Sequence, residues 1–595
     1  MTEFDVDSRD QLVGGFGVGK LLQRLWPYFK PELPACIVVV VLVISHALLG
    51  RGIVTVFGQA IDRGLIGKNM DFVLKAAGVY LIMEILIMSL QFIINTWFAK
   101  IGNRVLHRLR DHLVQHVQSL PAEYFDRVPS GKIVTRLTSD TVSFTELFNQ
   151  GLLSVFTNVV SMTAILVAMM VISIKMTLLV LIVAPPLVYA AYKLSEKILL
   201  AQRESKRRVS AINAFVAESV AGMKVIQLFN RAGAQRDRFN RLSAEYKSDL
   251  LKAVSLYALL YPTVSLFTGV TVCTALAYGG GLALDGAVTT GAMIAFIFHV
   301  KDFGDPLRNI LERYQLFQNS VSSGERIFAL LEELPESEPV AASHLPDELR
   351  GDLKFNAVSF RYRADLPLAL DSITFHIPAG KTLAVLGRTG SGKSTLISLL
   401  QRFRDPIAGQ ILVDGLDLAQ ISRNEVRQTV GVVQQDVFLF RGTVAENISL
   451  ADPEITRERI EWAAREAGLS RLIQMRPGGL DAHVEERGAN LSIGERQLIA
   501  FARILAFDCE ILVLDEATAN VDSETEALLQ DAARRAREGR TAVVIAHRLS
   551  TIADADHLLV LENGRLIEQG SPRELAARPD SHYRQMLEHS TTARA

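Results

Sequence analysis

The residues best suited to chemistry in this chain lie between Leu386 and Thr395, which read L-G-R-T-G-S-G-K-S-T. Gly387, Gly392, Lys393 and Ser394 satisfy the pattern G-x-x-x-x-G-K-[ST], with Arg388, Thr389, Gly390 and Ser391 inside it and Thr395 directly after. The chemistry is capture of a polyphosphate. Glycines let backbone N–H groups converge on phosphate oxygens, and the start of a helix adds positive dipole. Lys393 would reach the terminal phosphates and Ser394 would ligate Mg²⁺. The elements that must position such a loop are legible on both sides. Thr382–Leu386 is a short apolar strand pattern, and Leu396–Leu400 is helix-like. Gly14–Lys20 repeats the glycine–lysine spacing, but Leu21 stands where the hydroxyl belongs and no apolar strand precedes it. It is expected to be a flexible tail.

Further candidates follow in a fixed order. Tyr362, after Val358–Arg361, offers an aromatic face to a purine. Gln435 follows a β-like run and would reach Mg²⁺ and the attacking water. Leu491–Gln497 opens a helix, where Ser492 and Gly494 form a second phosphate nest. Ile511–Leu514 is an apolar strand ending in Asp515, suited to the Mg²⁺ shell, and Glu516, suited to polarising water. Another apolar strand ends near His547, placed to contact a γ-phosphate. An isolated aromatic, histidine or glutamate is usually structural; the ordered set is what carries weight.

With 595 residues the chain needs several domains. A net charge of −1 argues against a nucleic-acid partner, while 49% hydrophobic residues and a mean hydropathy of +0.23 point to a membrane. Cys36, Cys273 and Cys509 form no zinc or disulfide pattern. Nothing resembles a cleavable signal peptide. Residues 1–33 are expected to be a tail and an amphipathic helix in the bilayer interface, with Trp26 and Tyr28 at headgroup depth; an ordinary helix packed on protein is the alternative.

Six apolar segments follow, near 35–58, 75–98, 150–172, 175–196, 253–278 and 288–310, each close to the ~20 residues a bilayer demands. Pro185 and Pro186 are expected to break or kink the fourth. Basic residues such as Arg104, Arg108, Lys206 and Arg207 crowd the two long links, which places these links and both termini in the cytoplasm of a multi-pass protein, and the lack of a targeting peptide favours a bacterial inner membrane. His46, Arg51, Glu84, Asn95, Lys301 and Asp302 lie within spans, as transport-path candidates or structural pairs. The expected domains are a transmembrane region over 34–330, an acidic, proline-bearing linker over 331–352 and an α/β nucleotide-binding domain over 353–590.

Taken together, these motifs resemble the ATPase domain of ABC transporters, and residues 20–585 resemble a half-transporter of the multidrug/lipid exporter type. The fold this implies is an all-α six-helix transmembrane domain followed by an α/β P-loop ATPase domain. The resemblance implies ATP and Mg²⁺ held between two ATPase domains in a head-to-tail dimer. Tyr362 matches the adenine-stacking aromatic, Gly387–Thr395 the phosphate loop and Gln435 the metal- and water-sensing glutamine. Leu491–Glu495 match the signature, Asp515 the Mg²⁺-shell aspartate, Glu516 the general base and His547 the switch histidine. Asp522 lies in the loop that meets the partner, and Glu486–Gly488 resembles the segment that couples exporter ATPase domains to membrane helices. Two coupling segments are expected near Ala122–Phe125 and Ala214–Val216.

One departure stands out. The family signature L-S-G-G-Q is L-S-I-G-E here, so Ile493 replaces a glycine and Glu495 brings a negative charge. In the family such a mixture is typical of one subunit of a heterodimer with one weak ATP site. The favoured expectation is therefore a second half-transporter as partner, moving hydrophobic compounds (drugs, lipids or peptides) by alternating access. A homodimeric lipid flippase, an importer on the same architecture, an ATP-gated channel and a soluble ABC ATPase are the alternatives.

Overall fold

The computed structural model describes residues 18–338, 343–346, 348–515, 523–545 and 552–592. Two compact units divide the chain: Met1–Leu120 with Val128–Pro335, and Pro121–Arg127 with Glu336–Ala595.

The first unit is helical. In α1 (Val18–Phe29), Leu21 and Leu25 are fully buried while Leu22 and Trp26 stay exposed. Lys20, the end of the second glycine–lysine repeat, lies inside this helix rather than at the mouth of a loop. Next come α2 (Leu33–Gln59) and α3 (Met70–Gln118), which carry the first two predicted spans. The short α4 (Ala122–Arg127) belongs to the other unit. Then α5 (Ser130–Ile172) and α6 (Ile174–Ala221) cover the third and fourth predicted segments. After the short α7 (Met223–Leu228), α8 (Ala232–Ala258) leads into the fifth span, α9 (Leu260–Leu284), and α10 (Thr290–Leu331) carries the sixth. Among the described residues, four helices are long and apolar enough to cross a membrane: Gly19–Ile66, Met70–Gln118, Ser130–Ile172 and Ala232–Leu284.

Each short link ends in a residue whose side chain starts the next helix. Asn69 accepts from Phe72 N at 3.0 Å, Ser173 from Met176 N at 3.4 Å and Thr289 from Ala292 N at 3.2 Å. Each satisfies a backbone N–H that the first helical turn cannot. The 49 residues of α3 measure about 74 Å at 1.5 Å per residue, far more than a ~30 Å hydrocarbon core.

Two local expectations are corrected. Pro185 and Pro186 lie inside α6 without ending it; membrane helices tolerate proline where neighbouring groups satisfy the freed carbonyls. The second short coupling segment is not at Ala214–Val216. Those residues continue α6, where Phe215 is buried against Phe239 of α8 (ring centroids 6.4 Å apart). Gly222 ends α6, so the short helix is α7.

In the second unit, β1 (Leu353–Phe360), β2 (Leu370–Ile377), β4 (Ala408–Val413) and β5 (Leu416–Asp417) form an antiparallel sheet in the order β2-β1-β4-β5. The central sheet holds β3 (Thr382–Gly387), β6 (Val430–Val433), β9 (Ile511–Asp515), β10 (Thr541–Ile545), β11 (His557–Glu562) and β12 (Arg565–Gly570) in the order β12-β11-β3-β10-β9-β6. A small pair, β7 (Gly442–Thr443) and β8 (His483–Val484), completes the strands. All central pairings are parallel except β11–β12. The buried runs of β9 and β10 are continuous Val/Ile/Leu-rich stretches, as strands covered on both faces require. The acidic linker is tied down near its start. Glu336 accepts from Arg427 at 2.6 Å and from Arg423, itself only 5% exposed, at 3.2 Å.

Candidate functional site

The phosphate loop joins β3 to α11 (Lys393–Leu400). Gly392 starts the helix at φ +106, a conformation that costs a side chain steric strain. A Cβ there would also stand 2.6 Å from Leu370 Cδ2 and 2.8 Å from Ala369 O. At Gly387 a Cβ would lie 2.5 Å from Leu561 O. Both glycines are thus demanded by close approach. Arg388, Thr389 and Gly390 form the exposed rim and Ser394 is exposed.

Lys393 is 9% exposed, and its ammonium donates back across the loop to Gly387 O at 2.7 Å and Arg388 O at 3.0 Å. Burial pulls its pKa below the ordinary lysine value, and the Asp515 carboxylate opposes that shift. Ser391 is 3% exposed, and its hydroxyl is buried without a hydrogen-bond partner among the described residues. A desolvated cation, an orphaned hydroxyl and a glycine-lined cradle are complementary to an oxyanion.

Two other predicted groups, Asp515 and Gln435, stand at the same edge. β3, β10, β9 and β6 are parallel neighbours in that order, and Gly387, Ile545, Asp515 and Val433 are their last residues. Asp515 ends β9 half-buried, and Gln435 is exposed two residues past β6. Hydroxyl, amide and carboxylate oxygens from Ser394, Gln435 and Asp515 are the hard donors that suit Mg²⁺. Glu516 and Asp522 follow β9 and His547 follows β10; all three lie outside the described residues.

The signature opens α12 (Ile493–Phe507) in a different hydrophobic core. Leu498, Ala502 and Leu505 pack there with Ile448 and Ala464, whereas Leu396 and Leu399 of α11 pack with Val385 and Val543. Ser492 caps α12, its hydroxyl accepting from Glu495 N at 3.1 Å while the Glu495 carboxylate accepts from Ser492 N at 2.7 Å. This reciprocal box follows from Ser-x-x-Glu, a signal present in the sequence. Arg476 stands 3.6 Å from that carboxylate. Gly494 is buried and Ile493 is 43% exposed. Just upstream, Arg487 adopts φ +56 between Glu486 and Gly488.

Tyr362 is 41% exposed, and its hydroxyl bonds Thr395 Oγ1 at 2.8 Å. Phe360 meets its ring edge-on at 5.2 Å. The Arg404 guanidinium lies over the ring, 4.7 Å from its centroid. Arg404 also reaches Asp126 at 3.0 Å and Glu123 at 3.8 Å, both on α4. Nothing in the sequence marks Arg404, because its partners lie up to 278 residues away.

Among the span candidates, Arg51 pairs with Asp302 at 3.0 Å and approaches the fully buried His299 at 3.4 Å. Asn95 accepts from Gln91 at 2.9 Å. His46 and Glu84 are half-buried. Lys301 lines a cavity of about 370 Å³ between α9 and α10 with Tyr261, Ser265, Thr268, Asp305 and Arg308.

The model of the ABC transporter transmembrane region matches residues 36–300, and that of the ABC transporter domain matches residues 370–519. The chain is 35% identical over 543 residues to a fatty acid ABC transporter ATP-binding/permease protein of Mycobacterium tuberculosis, covering 91% of this chain and 84% of that one. It is 30% identical over 562 residues to an ATP-dependent lipid A-core flippase of Haemophilus influenzae, covering 94% and 95%. A solved bacterial Atm1-family ABC exporter with ATP bound is similar at a TM-score of 0.77 and 26% identity, over 94% of this chain and 98% of that one.

Proposed function

On the premise that this chain belongs to the ABC transporters, as a half-transporter of the exporter type, we propose that it is one subunit of a heterodimeric exporter whose two ATP sites are unequal. Its work as an ATPase is to drive export across the membrane by alternating access. The substrates are hydrophobic or lipid-like, a class supported by relatives that handle fatty acids and lipid A-core. The distribution of basic residues supports both termini in the cytoplasm, and the bacterial relatives support a bacterial inner membrane.

Within the active site, the loop Gly387–Thr395 grips the triphosphate and Lys393 neutralises its terminal charge. Ser394, Gln435 and Asp515 would hold Mg²⁺, which would supply positive charge to offset that of the triphosphate. Glu516 takes the proton of the attacking water, Gln435 orients that water, and His547 contacts the γ-phosphate. Tyr362 stacks on the adenine. Hydrolysis separates the two ATPase domains and resets the helices.

The observation that carries the inequality is the position of the Glu495 carboxylate, 2.7 Å from Ser492 N at the start of α12. A signature lends that helix terminus to the partner's γ-phosphate. A carboxylate can only accept hydrogen bonds, and its charge cancels the positive end of the helix. Ile493 adds bulk on the approach side. The weak site is therefore the one holding the partner's nucleotide against this chain's Leu491–Glu495. The strong site joins this chain's phosphate loop to the partner's signature.

Two measurements test this. In the assembled complex, Ile493→Gly with Glu495→Gln raises ATP turnover at the weak site about tenfold, since one regained charge-assisted hydrogen bond is worth about 1.5 kcal/mol; unchanged turnover at that site would remove the signature as the cause. Expressed alone, the chain shows no transport-coupled ATPase, and a stable homodimer with brisk coupled turnover would refute the partner requirement.

A further inference from the structure

Arg404 joins two features that the reading above leaves separate. Its side chain is 12% exposed. The flat guanidinium covers Tyr362 at 4.7 Å while its edge reaches Asp126 and Glu123, whose side chains are 71% and 58% exposed. Planarity permits this double use, because a guanidinium stacks through its face and donates through its rim, which an ammonium cannot do. On the other side, the Tyr362 hydroxyl holds Thr395, which is 4% exposed in the first turn of α11. An unbroken set of contacts thus runs from the phosphate loop through Thr395, Tyr362 and Arg404 to α4. That helix is packed in the nucleotide-binding unit, yet it is covalently continuous on both sides with the helical unit, through Leu120 and Val128.

We propose that Arg404 is a positioning residue that links occupancy of the purine site to the hold on segment Pro121–Arg127. The proposal rests on Tyr362 being the base-stacking residue. Tyr362 keeps 41% of its surface exposed with Arg404 in place, so the ring still offers area to a purine. A purine stacked there restrains the ring. The restrained ring restrains the guanidinium, and the ordering of Arg404 is no longer a separate cost of the ion pairs with Asp126 and Glu123. Linkage makes the effect reciprocal: whatever factor the purine adds to the grip on α4, the grip on α4 adds to purine affinity. The partner carboxylates are exposed, so the factor belongs at the low end of measured couplings, about fivefold.

The test uses the full-length chain in its native complex, with ATP and inorganic tripolyphosphate as probes. Tripolyphosphate fills the phosphate loop without touching Tyr362. Both E123Q/D126N and R404K are expected to raise the ATP dissociation constant about fivefold and to leave that of tripolyphosphate unchanged. ATP, but not tripolyphosphate, is expected to slow hydrogen exchange over residues 121–127, and R404K to abolish that difference. Equal shifts for both probes would show a merely structural role, and no shift for either would show no link; either result overturns the proposal. Tyr362→Ala separates the premises. If that variant leaves ATP affinity unchanged, the base-stacking assignment has failed; if it weakens ATP while E123Q/D126N does not, only the link has failed.

Discussion

Replacing Glu516 by Gln leaves ATP bound to the complex but lowers its hydrolysis by about 10²-fold or more, the range of a positioned general base. The residue follows Asp515, the last residue of β9, on the edge where Gly387 and Val433 also end their strands. Removing the charge without changing the shape isolates proton transfer from binding. Nucleotide affinity measured at equilibrium should stay within about twofold of the parent, because the loop, Lys393 and Tyr362 are untouched. Turnover is measured in the same preparation. Near-normal turnover in the variant would take the base role away from Glu516 and pass it to another group on that edge. Retained product release with lost affinity would instead mean that the carboxylate serves binding.

Lys393→Ala has the second large effect, and it falls on affinity: ATP binding at this chain's phosphate loop weakens by about 10²-fold. Hydrogen bonds to charged groups are worth about 1.5–3 kcal/mol, and 1.4 kcal/mol is a factor of ten. The ammonium is buried, its pKa is drawn down by desolvation, and its partners are the carbonyls of Gly387 and Arg388. It is a poorly solvated cation for which a triphosphate is the better partner. Alanine also leaves those carbonyls without their donor, so some loss of stability accompanies the loss of affinity. A thermal melt of the nucleotide-free complex separates the two, and a dissociation constant within twofold of the parent would contradict the assigned role.

Much of this was legible before any coordinates. The glycine loop is legible because its bonds close locally: strand, turn and helix lie within Thr382–Leu400, and each demands particular residue types. The spans are legible because a bilayer imposes length and composition on each segment independently. The capping box at Ser492 and Glu495 is equally local, since Ser-x-x-Glu places both partners within one helical turn. Pro185 and Pro186 do not break α6, because a proline's missing donor predicts a local cost while its tolerance depends on the surroundings.

By itself, the sequence determined the class of chemistry and the division into an apolar helical part and an α/β ATPase part, since each is written in patterns a few residues long. Only the tertiary structure decided which charges meet. Arg51 finds Asp302, Arg423 finds Glu336, and Arg404 finds both Tyr362 and Asp126. Those partners are far apart along the chain, and a guanidinium carries no mark of the carboxylate it will reach. Local pattern specifies elements, but ion pairing is settled by how the elements pack, and for Arg404 that packing is what brings Tyr362 and Asp126 to one guanidinium.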